Sequence, residues 1–127
     1  MNTPEAQGRL VLEYRLDRGI AVVRAVGDVD ISTSGVLRDG LLRVVTDEEC
    51  HGLVVNLASV TFIDSTGIGV LVGVWRRVRA SSGGLAVAVP SATQVRRTLD
   101  VAGLAKILPI HDSEADALDA VRQLTDA

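Results

Sequence analysis

Hydrophobic and polar positions change their period several times along this chain, and each change marks an element. Leu10, Leu12, Tyr14 and Leu16 alternate with polar residues, which predicts a half-buried strand over Leu10 to Leu16. Asp17-Arg18-Gly19 is a turn, and the β-branched run Ile20 to Val26 predicts a second strand paired with the first as a hairpin. After Gly27, Asp28-Val29-Asp30 is expected to open a loop. Ser32, Thr33 or Ser34 can then cap a segment in which Val36, Leu37, Leu41, Val44 and Val45 fall near helical spacing.

The second half alternates buried strands and helices. Leu53 to Leu57 reads as a buried strand, a helix is expected from about Thr66 to Ala80, and Leu85 to Val89 is a strand stopped by Pro90. Ser91 or Thr93 caps a helix to about Val101, closed by Gly103. Ile107 to Ile110 is expected as a short last strand. Asp112 or Ser113 caps a C-terminal helix with Ala117, Leu118, Val121 and Leu124 inward. The order ββαβαβαβα predicts an α/β fold: an initial hairpin, then alternating strands and helices, giving a mixed sheet flanked by about four helices. Residues 1–8 read as a flexible lead-in and 9–127 as one domain.

Composition narrows the function classes. A 127-residue chain can bury roughly two thirds of its unfolded surface, and its apolar residues are mostly Val, Leu, Ala and Ile. With a net charge of −3 and only Tyr14, Phe62 and Trp75 as aromatics, neither an electrostatic nor a base-stacking surface for nucleic acid is expected. Cys50 stands alone, so no intrachain disulfide forms, in keeping with a reducing compartment. No apolar run approaches the roughly 18 residues of a membrane span, and no signal-peptide pattern opens the chain. A cytoplasmic protein without membrane insertion is expected.

The chemistry-bearing run is Asp64-Ser65-Thr66-Gly67-Ile68-Gly69, where a strand and loop give way to a helix. One cap residue would suffice there, yet three stand together. Hydroxyls at a helix start meet free N–H groups and the positive end of the helix dipole, a setting that tolerates an added phosphate. The helix also carries Gly67, Gly69 and Gly73, each about 0.8–1 kcal/mol worse than Ala in helix propensity. Glycine at such positions lets another backbone approach, either the sheet or a partner. Ile68, Leu71, Val72, Trp75 and Val78 form an apolar stripe expected to face the sheet. Thr66, Gly69, Gly73 and Arg76 form a second, small stripe that suits a docking face.

Other constellations are weaker. Asp28 and Asp30 follow an apolar strand in the pattern Asp-x-Asp-x-Ser, which suits a magnesium-dependent phosphoryl-transfer site of haloacid-dehalogenase type. That chemistry needs a later Lys and a second acidic pair, and Lys106 is the chain's only Lys. A two-component receiver would place its acidic pair after the first strand, whereas this pair follows the second strand of a hairpin. His51 and His111 stand apart from any second ligand at metal spacing, so no metal or cofactor is expected. Cys50 lacks a cationic neighbour in sequence.

The chain resembles the STAS-domain anti-sigma factor antagonists of bacteria. Gly27-Asp28-Val29-Asp30, Val54-Val55-Asn56-Leu57 and Phe62-Ile63-Asp64-Ser65-Thr66-Gly67-Ile68-Gly69 carry the resemblance, with Gly83-Gly84-Leu85 and Val101-Ala102-Gly103-Leu104 following the pattern of the second half. The resemblance implies a non-catalytic regulator. Unphosphorylated, it binds an anti-sigma factor that is often also a serine kinase, and this frees a sigma factor. Phosphorylation of Ser65, with Thr66 as the backup acceptor, ends the interaction, and a serine phosphatase resets it. Asp28, Asp30, Asp64, Thr66, Gly67, Gly69 and Gly73 are the expected partner-binding positions, and a monomer or weak dimer is expected. A STAS subunit serving a transporter or a larger signalling assembly is the alternative within that fold.

Overall fold

The structure is a computed structural model, and it describes residues 9–47 and 49–125. The expected lead-in over 1–8 lies outside them. Five strands form one mixed sheet in the order β1-β2-β3-β4-β5: β1 (Leu10–Asp17), β2 (Ile20–Val29), β3 (Gly52–Ile63), β4 (Gly84–Ala88) and β5 (Ile110–His111). β1 and β2 are an antiparallel hairpin, and the remaining pairs are parallel. The helices are α1 (Ser34–Val45), α2 (Ser65–Ala80), α3 (Gln94–Val101) and α4 (Glu114–Thr125), with a 3₁₀ turn over Leu104–Lys106.

Strand alternation explains why the core has two unequal layers. Ala21, Val23, Ala25 and Val29 of β2 point to one face with Leu53, Val55, Leu57, Val60 and Ile63 of β3. There they meet Leu37 and Leu41 of α1, Leu71, Val74 and Val78 of α2, and Val95 and Leu99 of α3. Ile20, Val22, Val54, Ala86 and Ala88 point to the other face and are covered by Ala117 and Val121 of α4. Small residues on this second face let α4 lie close to the sheet.

α4 is fixed by a polar cluster as well as by packing. Glu114, in its first turn, accepts a hydrogen bond from Asn56 Nδ2 at 2.9 Å and pairs with Arg15 at 3.3 Å and Arg24 at 3.8 Å. Asn56 is buried and its carbonyl accepts from the Ala58 N–H at 2.8 Å, so both ends of this side chain are satisfied. One carboxylate thereby ties together β1, β2, β3 and α4.

Several boundaries differ from the sequence expectation. β3 does not stop at Leu57. It continues beside β2 to Ile63 through two register shifts, between Arg24 and Val26 and between Gly27 and Asp28. Gly27 has φ +126°, and a Cβ there would meet the Arg9 carbonyl at 2.1 Å, so only glycine suits this bulged position. Asp28 and Val29 consequently end a strand rather than begin a loop. The expected strand Ile107 to Ile110 is displaced: Gly103 (φ +75°) turns the chain into the 3₁₀ turn, and Pro109 leaves only Ile110–His111 to pair with β4. On α2, the buried positions are Gly67, Leu71, Val74 and Val78, whereas Ile68, Val72 and Trp75 are only half-buried. Leu124 of α4 is exposed rather than inward.

Candidate functional site: the shared ends of two strands and the start of α2

Parallel pairing carries β2 and β3 to the same height, where Val29 stands opposite Ile63. The chain leaves each strand directly into a loop or helix start. The Asp64 N–H donates to the Val29 carbonyl at 3.1 Å, so the two exits are clasped together.

At the first exit, Asp30 folds into an Asx turn. Its Oδ1 accepts from the Ser32 N–H at 2.9 Å, the Ser32 hydroxyl at 2.7 Å and the Thr33 N–H at 3.1 Å. Thr33 is buried, and its hydroxyl donates to the Asp28 carbonyl at 2.8 Å while accepting from the Asp30 N–H at 2.9 Å. Asp28 accepts a short hydrogen bond from the Thr61 hydroxyl on β3. The loop is thus held on both sides, and its exposed tip is Ile31, which is 80% accessible.

At the second exit, Asp64 has extended backbone (φ −113°, ψ −172°) and caps α2. Its Oδ1 accepts from the Thr66 N–H at 3.0 Å, the Gly67 N–H at 3.3 Å and the Thr66 hydroxyl. Ser65, the first residue of α2, is exposed, and among the described residues its hydroxyl has no hydrogen-bond partner. Of the three candidates in the run, one is a cap, one has its hydroxyl tied to that cap, and one is free.

Hydrogen bonding sets the charge of the site. The Ser32 hydroxyl, and after it the Ser32 and Thr33 N–H groups and the Thr33 hydroxyl, hold the Asp30 carboxyl below its ordinary range. The Thr66 hydroxyl, with the Gly67 and Thr66 N–H groups, does the same for Asp64, against a smaller opposing effect from the Asp30 charge. Both are carboxylates at neutral pH, so Ser65 follows directly on one negative charge, Asp64, which itself feels that of Asp30.

The glycines of α2 divide by face. Gly67, expected among the partner-binding positions, is buried against the sheet instead: a Cβ there would lie 2.5 Å from Val29 Cγ1 and 2.8 Å from Ile63 Cγ1. Gly69 and Gly73 are exposed, with nothing within 4 Å of a Cβ at either position. They floor a cleft of about 510 Å³ between α1 and α2, bounded by Ser34, Arg38 and Leu42 of α1 and by Thr66 and Arg77 of α2. Arg38, Leu42 and Arg77 did not stand out in sequence, because each belongs to an ordinary amphipathic face until the two helices are set side by side. Ser32 and Thr33 did stand out, but only as possible caps. The spacing Asp30-x-Ser32-Thr33 was the available signal for an Asx turn.

Among the described residues, no group of three His, Cys, Asp or Glu side chains could hold a metal ion, and no helix is long and apolar enough to cross a membrane. Asp28 and Asp30 do not converge: Asp28 faces Thr61, whereas Asp30 turns back onto its own loop. This arrangement gives no shared carboxylate site for a cation.

Known proteins resemble this chain in sequence and in shape. An anti-sigma F factor antagonist of Paenibacillus polymyxa is 35% identical over 109 residues, covering 86% of this chain and 92% of that protein. An anti-sigma-F factor antagonist of Mycobacterium tuberculosis is 32% identical over 122 residues, covering 96% of this chain and 95% of that protein. The crystal structure of an anti-sigma factor antagonist from Mycobacterium paratuberculosis superposes with a TM-score of 0.82 at 27% identity, over 96% of this chain and 99% of that one. With the STAS domain model matching residues 12–117, from near the start of β1 to the first turn of α4, the chain belongs to the STAS domain family.

Proposed function

We propose that this protein is an anti-sigma factor antagonist, a binding regulator rather than an enzyme, and that its partner docks over the start of α2 and the cleft beside it. Relatives that bear this name span nearly their whole length against this chain and support the reading. The observation that carries the site assignment is the free, exposed Ser65 hydroxyl beside two engaged neighbours. Ser65 is the phospho-acceptor, and the partner is a serine kinase as well as a binding target, with a serine phosphatase to reverse the step.

The switch acts on the interface rather than on the fold. A phosphate brings about −1.5 to −2 charges to a helix N-terminus, where the positive end of the helix dipole tolerates it. The same charge lies next to Asp64, so an acidic or closely fitted partner surface meets both bulk and repulsion. Gly69 and Gly73 supply the flat floor of the docking cleft, with Arg38 and Arg77 at its sides. Ile31 is the apolar contact next to Asp30.

The test compares wild type, Ser65→Ala and Ser65→Asp in binding to the cognate anti-sigma factor by calorimetry. The Ala variant should bind like wild type but refuse phosphate, and the Asp variant should bind at least about tenfold more weakly. Equal binding by all three, or phosphate found on another residue of the wild type, overturns the assignment.

A further inference from the structure

Among the described residues, β1 is an outer strand of the sheet paired only with β2, without proline and without a register shift. Native sheets ordinarily blunt such an edge, because a row of unpaired N–H and C=O groups is a template for another strand. Which groups face outward follows from the hairpin. Its two-residue turn, Arg18 (φ 49°) and Gly19 (φ 84°), closes on the hydrogen-bonded pair Asp17 and Ile20. Bonding toward β2 then alternates along the strand, so the odd-numbered residues of β1 bond inward. The Asp28 N–H donating to the Arg9 carbonyl fits the same parity. Leu12, Tyr14 and Leu16 therefore turn their N–H and C=O groups to the open edge. Tyr14 and Leu16 are 62% and 41% accessible, and Leu12 and Tyr14 line a groove of about 340 Å³ between β1 and α1.

We propose that β1 pairs antiparallel with β1 of a second copy of this chain, about a two-fold axis through Tyr14, joining the two sheets into one. The charges select this register. With Tyr14 opposite Tyr14, Glu13 of each copy faces Arg15 of the other, twice, on the α4 side of the sheet. On the other side, Leu12 of each copy faces Leu16 of the other, beside the grooves. Moving the axis to the neighbouring residues keeps the parity of the bonds but sets Glu13 against Glu13, or Arg15 against Arg15, which is destabilising. An axis through Leu16 would also set Arg15 of each copy against Asp17 of the other, but it pairs only residues 15–17 of β1, so the Tyr14 register is the most extensive one complementary in both hydrogen bonding and charge. Such an interface is isologous, as a two-fold dimer requires. It is also small, since an eight-residue strand spans about 27 Å, so the dimer is weak and its population follows concentration.

Sedimentation equilibrium on the full chain, over a wide concentration range at low salt, tests this. Wild type should shift from monomer toward dimer. Glu13→Arg sets Arg against Arg at both cross-strand pairs, and Arg15→Glu sets Glu against Glu; each alone should loosen the dimer by roughly tenfold or more. An equimolar mixture of the two should recover association as a heterodimer, because each Arg again meets a Glu. Circular dichroism and urea unfolding check the fold of each variant, since Arg15→Glu also sets a carboxylate beside Glu114, the partner of Arg15 at 3.3 Å within the chain; recovery of association in the mixture separates an edge effect from that local loss. A wild type that stays monomeric at millimolar concentration, single variants that dimerise like wild type, or a mixture that fails to associate overturns the proposal. None of these outcomes bears on Ser65, which lies at the end of the central strand rather than on the sheet edge.

Discussion

The three glycines of α2 present one residue type in two environments, and alanine distinguishes them. At Gly73 a Cβ meets open space, so Gly73→Ala should keep its full gain in helix propensity, about 0.8–1 kcal/mol. Gly69→Ala should behave alike. At Gly67 the same propensity gain is available, but the new carbon sits 2.5 Å from Val29 Cγ1 and 2.8 Å from Ile63 Cγ1. Val29 and Ile63 are buried core residues at the ends of paired strands, so neither side chain can swing aside into solvent. Overpacking of this kind costs about 1–3 kcal/mol, which exceeds or cancels the propensity gain. The variants should therefore differ in sign: Gly67→Ala neutral to about 2 kcal/mol less stable, Gly73→Ala about 1 kcal/mol more stable. Urea unfolding followed by circular dichroism measures both, with equal m-values required for the comparison. If Gly67→Ala matched Gly73→Ala within about 0.3 kcal/mol, the packing of α2 on the ends of β2 and β3 would be wrong.

Other consequences concern binding, caps and charge. Gly73→Leu should leave the domain folded but fill the α1–α2 cleft, weakening binding to the anti-sigma factor at least about tenfold in calorimetry; unchanged binding would remove the cleft from the interface. Asp64→Ala removes the α2 cap and should cost about 1 kcal/mol in urea unfolding at neutral pH. Because hydrogen bonds hold the folded Asp64 carboxyl below its unfolded value of 3.8, this contribution is present above that pH and is lost as pH falls through the folded value. The gap between wild type and Asp64→Ala should accordingly narrow in acid and not in alkali. Glu114→Ala strips the partner from the buried Asn56 amide and from two arginines, and should cost about 1.5–3 kcal/mol in the same assay. The Glu114 carboxyl is also lowered, first by the Asn56 hydrogen bond, so the Glu114→Ala deficit should likewise shrink only below about pH 4.5.

How far the sequence spoke depended on which force wrote the local pattern. Strands buried on both faces, such as Leu53 to Leu57, and the hairpin around Arg18-Gly19 are dictated by composition and turn chemistry, and they appear where expected. The extension of β3 to Ile63 was hidden because Ala58 and Ser59 break the alternation at a bulge, and a bulge is visible only once the partner strand is known. The inward face of α2 was read one position off. Hydrophobicity favours Trp75, but a bulky ring does not fit where α2 lies closest to the sheet, so Gly67 and Val74 take the inward positions and Trp75 sits half-buried under Arg79, 5.0 Å from its ring. Asp64, Ser65 and Thr66 stood out as a group. Their division into cap, free hydroxyl and tied hydroxyl is a matter of angstroms and needed the structure.

Under the proposed switch, that division bears on how selective a modifying enzyme has to be. Serine and threonine lie side by side, and a kinase that recognises only the surrounding surface would have little chemical reason to prefer one. The domain makes the choice itself: the Thr66 hydroxyl is already spent on the Asp64 carboxylate and belongs to the cap that starts the helix, so using it would dismantle the platform that presents it. Fidelity of modification is in this sense a property of the substrate. Were Ser65 the acceptor, as proposed, a signalling system built on such a domain could exchange one kinase for another without losing the single position at which the message is written.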